Sequence, residues 1–145
     1  MEEWYDRQRL LIKDDGMRRL TEAHVLVVGL GGVGGFAAEF LARAGIGRLT
    51  LADGDTVSAT NLNRQIAALG STVGRPKAQV IAERIADINP AAALRVIDRF
   101  LDPEDAYALV DETYDYVVDC IDSLSPKIAL IRSAQDKKIP LVSSM

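Results

Sequence analysis

Residues 25–36 read VLVVGLGGVGGF. An apolar run rich in valine favours extended backbone, and glycines let the chain turn sharply and let other atoms approach closely. The combination constrains this segment to a buried strand, a tight turn and a following helix. Gly29, Gly31 and Gly34 fit G-x-G-x-x-G, the dinucleotide-binding fingerprint. Gly32 is an extra glycine that the fingerprint does not require. A helix N-terminus behind such a turn offers N–H donors and positive potential to a phosphate. The turn alone does not separate NAD from ATP.

The rest of the chain alternates strand and helix patterns. Residues 4–20 are expected to be helical, with Leu10, Leu11, Met17 and Leu20 as inward anchors. Strands are expected at 24–29, 48–53, 94–100, 114–120 and 139–144. The helix after the glycine turn should bury Val33, Ala37, Phe40 and Leu41 and stop at Gly45. A helix over 75–90 has Pro76 near its start and Pro90 after its end. Two more helices carry cap signals, Asp102 with Pro103 and Ser125 with Pro126. Continuous apolar strands alternating with helices imply an α/β, Rossmann-like doubly wound, mainly parallel sheet with helices on both faces. The polar connection over 54–74 is long enough to require a function inside a compact domain.

A chain of 145 residues suits one domain, here 1–145 with an N-terminal helical arm at 1–22. Net charge is -4, so nothing global advertises nucleic-acid or membrane binding. No apolar run approaches the roughly 20 residues of a membrane span, and the charged start MEEWYDRQRLL lacks a signal-peptide core. A single cysteine, Cys120, excludes an internal disulfide and a cysteine-pair zinc site within these residues, and a cytoplasmic setting is expected. The final KKIPLVSSM reads as a strand that stops as it arrives, so a longer protein is expected.

The candidate site follows the second strand. Asp53 ends it about twenty residues after the glycines, where an acid can take ribose hydroxyls. DGDTVSATNLNRQ (53–65) and GRPKAQ (74–79) then supply Asn61, Arg64 and Lys77, an amide and two cations where a triphosphate would extend. Asp55 and Gln65 stand beside them as further nucleotide-contact candidates. Asp122, after the fourth strand, can serve Mg²⁺, which favours carboxylate and phosphate oxygens, or it can simply cap the next helix. One acid for ribose, two cations for phosphate and one acid for metal suit nucleotidyl transfer better than hydride transfer.

GLGGVG, D-x-D-x-V-x-x-x-N-L-N-R-Q, VG-x-P-K and D-C-I-D-S occur in this order, and together they resemble the ThiF/MoeB/HesA superfamily of adenylating enzymes related to ubiquitin-activating enzyme. The resemblance implies ATP–Mg²⁺ binding and adenylation of a carboxylate. It implies that Asp53 binds ribose, that Asn61, Arg64 and Lys77 bind the phosphates, and that Asp122 serves the metal. It also implies a homodimer in which an N-terminal arginine, Arg9 or else Arg7, reaches the partner's ATP. Arg64, Lys77, Asp122 and Arg9 are therefore the expected catalytic set. NLNRQIAAL, AERIADINP and DSLSPKIALI are most similar to the tRNA threonylcarbamoyladenosine dehydratase branch, which implies tRNA as substrate.

The alternatives are a sulfur-carrier adenylyltransferase of the MoeB or ThiF kind, an NAD-dependent oxidoreductase and a non-catalytic dimerisation module. His24, the only histidine, and Cys120 are expected to be structural. Arg7, Arg9, Arg18 and Arg19, and Lys137 with Lys138, are the two candidate basic patches for tRNA.

Overall fold

The computed structural model describes residues 3–144, so the expected run-on past Met145 and the first two residues of the expected arm at 1–22 lie outside the described residues. The five expected strands form at His24–Val28 (β1), Arg48–Ala52 (β2), Ala93–Ile97 (β3), Tyr116–Asp119 (β4) and Leu141–Ser143 (β5). Among the described residues the α-helices are Asp6–Glu22 (α1), Gly34–Arg43 (α2), Lys77–Ile88 (α3), Pro103–Leu109 (α4) and Leu124–Asp136 (α5). Every strand pair is parallel, in the order β3-β2-β1-β4-β5. The order reverses between β1 and β4, which opens a crevice at their carboxyl ends.

Alternation along β1 builds both layers. Val25 and Val27 pack with Leu49, Leu51, Ala38, Ala42, Ile81 and Ile85, under α2 and α3. Leu26 and Val28 pack with Ala106, Val110, Leu130 and Ala134, under α4 and α5. Leu26, Leu49, Leu51, Ile81, Ile85 and Leu130 are fully buried; each contributes about 1.5–3 kcal/mol of transfer free energy.

The inward faces of two helices differ from expectation. In α1, Met17 is buried and Leu20 packs on the core, but Leu10 and Leu11 are 72% and 83% exposed. The cause is a break at Lys13, whose φ of 61° and ψ of -179° rotate the first turns away from the later ones. In α2 the inward residues are Gly34, Ala38, Glu39 and Ala42, while Val33 and Phe40 are 45% and 65% exposed. Gly34, Ala38 and Ala42 recur every fourth residue, so the helix lies close to the strands on its smallest face and leaves its large residues outside.

Glu39 is the price of that rotation: a carboxylate buried between α2 and α3. It accepts hydrogen bonds from Arg84 and from Arg43, the latter at 2.9 Å. The Arg84 hydrogen bond, against the opposing effect of burial, holds the Glu39 carboxyl below its ordinary value of 4.5.

The cap signals resolve as follows. Asp102 caps α4 by accepting from Asp105 N at 2.7 Å, with Pro103 as first helical residue. α5 starts earlier than expected, with Ser123 at the N-cap and Pro126 inside the first turn, where its missing N–H costs nothing. Among the described residues no helix is long and apolar enough to cross a membrane.

A carboxyl whose folded value is depressed adds stability above its unfolded value, and that stability is lost as pH falls through the folded value. Glu39→Gln should therefore be less stable than the parent near neutral pH. The gap should stay constant above the ordinary value of 4.5 and narrow as pH falls below it in urea unfolding; a gap independent of pH would assign the Glu39 ion pairs no net role.

Candidate functional site

The turns after β1, β2 and β4 and the segment after β3 meet at the carboxyl edge of the sheet around a cleft of about 430 Å³. Gly29, Gly31, Gly32, Asp53, Asp55, Arg64, Gln65, Lys77 and Asp122 all line it. The glycines divide by what a side chain would meet. A Cβ on Gly34 would sit 1.6 Å from the Gly29 carbonyl oxygen, so Gly34 serves the strand–helix approach and does not line the cleft. Gly31 and Gly32 have nothing nearer than 3.6 Å, and their bare backbone faces the cleft.

Asp53 ties the glycine turn to the next loop. Its Oδ2 accepts from Leu30 N at 2.7 Å and its Oδ1 from Asp55 N at 2.8 Å. A carboxylate oxygen carries more than one acceptor site, so both can still accept from sugar hydroxyls. The 54–74 connection is ordered because Val57, Ala67 and Ala68 enter the core and Val57 exchanges backbone hydrogen bonds with Gly74 and Arg75. That closure delivers Arg64 and Gln65 to one wall of the cleft and Lys77, at the start of α3, to another.

Lys77 is 4% exposed, and its Nζ donates to Asp55 Oδ2 at 2.8 Å. The Lys77 hydrogen bond is the main cause that holds the Asp55 carboxyl below its ordinary value. A buried cation at a helix N-terminus opposes both desolvation and the helix dipole. Such a placement concentrates positive potential where an anion can use it. Arg64 is exposed at the cleft, with Nη1 donating to Thr60 O at 3.0 Å and Asn63 Oδ1 at 2.9 Å. Gln65 Oε1 is buried with no hydrogen-bond partner among the described residues, an acceptor that a ligand donor could satisfy.

Asp122 is exposed on the cleft beyond β4 and is not the cap of α5, a position held by Ser123. The described residues contain no cluster of three or more metal-ligating side chains. Mg²⁺ commonly uses one or two carboxylates and takes its other ligands from phosphates and water, so a single rim carboxylate fits a metal that arrives with a nucleotide. Cys120 also lines the cleft; burial, then the neighbouring Asp119 charge, pushes its thiol up, the opposite of an activated nucleophile. His24 lies at the other end of β1, where Nε2 is 2.9 Å from Thr50 Oγ1, and burial lowers its value.

Not every expected residue converges. Asn61 is buried beneath the loop, where its Oδ1 accepts from Ser58 N at 2.8 Å, so its amide braces a turn and does not line the cleft. Arg9 does not line its own cleft and pairs with Asp14 at 3.1 Å and Asp6 at 3.5 Å. The expected N-terminal basic patch is a mixed-charge surface, since Arg18 and Arg19 both pair with Asp15. Lys137 caps the end of α4 through the Tyr107 and Val110 carbonyls. The strand expected over 94–100 stops at Ile97, and Arg99, Phe100 and Leu101, not expected at the site, line the cleft, with Phe100 74% exposed. A Cβ on Gly54 would sit 2.1 Å from Phe100 N, so the close approach needs glycine. The readable signal was position, since loops at the carboxyl ends of such strands border the ligand crevice.

The sheet order, the glycine turn and the acid after β2 define a Rossmann-type α/β domain with its cleft at the topological switch point. The chain belongs to the ThiF family, whose model matches residues 5–145. It is 48% identical over 134 residues to tRNA threonylcarbamoyladenosine dehydratase of Escherichia coli K12, covering 92% of this chain and 50% of that protein. It is 41% identical to molybdopterin-synthase adenylyltransferase of the same organism, covering 96% of this chain and 56% of that protein. The crystal structure of the E. coli dehydratase TcdA in complex with ATP matches at a TM-score of 0.93 and 46% identity, covering 99% of this chain and 60% of that one. The chain thus spans about half the length of the curated relatives it matches.

The two kinds of glycine predict opposite outcomes. Gly34→Ala must move the Gly29 carbonyl and should cost about 3 kcal/mol or more in denaturant unfolding. Gly32→Ala has room and should cost less than about 1 kcal/mol in the same measurement.

Proposed function

We propose that this chain is the ATP-binding part of an adenylating enzyme that activates the threonylcarbamoyl carboxylate on an adenosine of tRNA and so enables its cyclising dehydration. The observation that carries the reading is the convergence of Asp53, Arg64, Lys77 and Asp122 on one cleft beside the bare backbone of Gly31 and Gly32. The similarity to the dehydratases and to a relative solved with ATP supports it. A tRNA substrate accords with a cytoplasmic setting.

In this reading Asp53 accepts from the ribose hydroxyls, and Gly31 and Gly32 let the phosphates approach the start of α2. Phe100 and Leu101 offer apolar surface to the base. Lys77 and Arg64 hold the triphosphate and neutralise charge that grows on the phosphate under attack and on the departing pyrophosphate. Lys77 then exchanges part of its bond with Asp55 for a phosphate oxygen. Bound Mg²⁺ would add charge neutralisation, with Asp122 as its protein carboxylate. The carboxylate substrate supplies the nucleophile, so these side chains chiefly position and stabilise. The carbamoyl nitrogen subsequently closes the ring and AMP departs.

The second reading, activation of a ubiquitin-like sulfur carrier, rests on the 41% identity to molybdopterin-synthase adenylyltransferase. The two differ in the carboxylate they adenylate. AMP release that depends on threonylcarbamoyladenosine tRNA supports the first, and release that depends on a carrier protein's C-terminus supports the second.

We further propose a homodimer in which Arg9 acts on the partner's nucleotide. Arg9 lies off its own cleft, and exposed Leu10, Leu11, Phe36 and Phe40 provide apolar surface for a second copy.

Calorimetry should show ATP–Mg²⁺ binding at least about tenfold tighter than NAD, and the reverse order would overturn the adenylation reading. Arg64→Ala and Lys77→Ala should each weaken ATP binding roughly 10- to 100-fold, as expected for losing charge-assisted hydrogen bonds. Mixing full-length Arg9→Ala with full-length Asp122→Ala should restore AMP formation, because one mixed site keeps both groups. No recovery despite verified subunit exchange would return Arg9 to a local role.

A further inference from the structure

We infer that Lys127 is a positioning residue: its buried ammonium, with Asp119, clamps the peptide unit that leads into Asp122 and thereby sets where the Asp122 carboxylate stands. The inference rests on the adenylation reading for its catalytic consequence, but not for its structural content.

Lys127 lies in the first turns of α5 with its side chain 7% exposed, and the Asp119 side chain at the end of β4 is 0% exposed. Nζ is 2.7 Å from Asp119 Oδ2, donates to Ile121 O at 2.9 Å and donates to Ser144 O at 2.8 Å. Three acceptors match the three protons of an ammonium. Asp119 works on the same residue from the other side, since its Oδ1 accepts from Ile121 N at 3.1 Å. Ile121 is therefore held at both its N–H and its C=O. Ser143 Oγ donates to Asp119 Oδ2 at 2.7 Å and ties β5 into the network.

The Ile121 carbonyl and the Asp122 N–H share one planar peptide. Fixing that carbonyl fixes the plane from which Asp122 departs. No side-chain cap supplies this hold, because Ser123 at the N-cap makes no capping bond. Stability alone is a weak account of the pair. Burying two charges costs several kcal/mol per ion, and well-packed apolar residues of similar volume often do as well or better. What an apolar pair could not do is grip a backbone carbonyl and a backbone N–H beside a rim carboxylate.

Lys127 is absent from the cleft lining. Its removal should therefore separate turnover from nucleotide affinity. The test uses the full-length protein with Lys127→Met, which keeps bulk and loses the charge, and Lys127→Arg, which keeps the charge but offers a planar fork instead of three radiating donors. Metal-free ATP affinity, read by calorimetry, should stay within about threefold in both, while kcat for AMP formation falls at least about tenfold in Lys127→Met and less in Lys127→Arg. The Mg²⁺ concentration for half-maximal rate should rise in the same order. Unchanged kcat, or ATP affinity and kcat falling together, would overturn the inference. If Lys127→Met does not fold, Lys127→Arg decides alone, and a kcat equal to the parent's overturns it.

Amide hydrogen exchange at Ile121, whose N–H is the one bonded to Asp119, reads the clamp without any substrate. Exchange faster by about tenfold in either variant, with exchange in β1 unchanged, supports the inference, and equal exchange overturns it. A parent protein that forms no AMP on tRNA would defeat the proposed function, and the exchange result would still decide the role of Lys127.

Discussion

The approach of Gly34 to the carbonyl of Gly29 is the contact on which the rest of this architecture depends. A strand that turns directly into a helix can pack that helix on its own sheet only if the crossing point has no side chain. Once Gly34 meets that condition, Ala38 and Ala42 follow on the same face, and α2 lies low over β1 and β2. The low helix leaves Phe36 and Phe40 outside and forces Glu39 inside. It also directs the α2 N-terminus at the crevice where the strand order reverses.

In that crevice and beyond it, buried charged side chains stand in pairs. Lys77 is held by Asp55, Asp119 by Lys127, and Glu39 by two arginines. None of these pairs is a strong argument for stability, since desolvation offsets most of the Coulombic gain. Their common property is direction. A paired buried charge has one low-energy geometry, and a loop attached to it inherits that geometry. The exposed pairs along α1 have no such effect, because solvent screens them and their side chains move freely.

The element order and the cleft membership of most candidate residues were legible because they depend on local chemistry. β-Branched strands, glycine turns and the Asp102–Pro103 cap act within a few residues. Asp53, Arg64, Lys77 and Asp122 could be grouped because parallel strands bring every such loop to one edge. Asn61 could not be assigned from pattern alone: an asparagine amide suits a phosphate and a capping turn equally well, and only the folded loop shows its bond to Ser58. The segment 98–101 reads as the end of the third strand, and not as cleft lining, for a related reason. Its apolar residues prolong the β3 pattern, and the bend over Gly54 is a long-range contact with no local marker.

By itself, then, the sequence determined a parallel α/β sheet, a glycine turn at its centre and a set of acids and cations bound for its carboxyl edge. Period and turn chemistry suffice for these, because each is settled between near neighbours. Tertiary structure alone decided which face of α2 looks inward, that α1 breaks at Lys13, that Asp119 and Lys127 meet beneath Asp122, and that Phe100 reaches the cleft. Each of these depends on the space left by residues distant in the chain, and packing excludes all but one arrangement only after the sheet has formed.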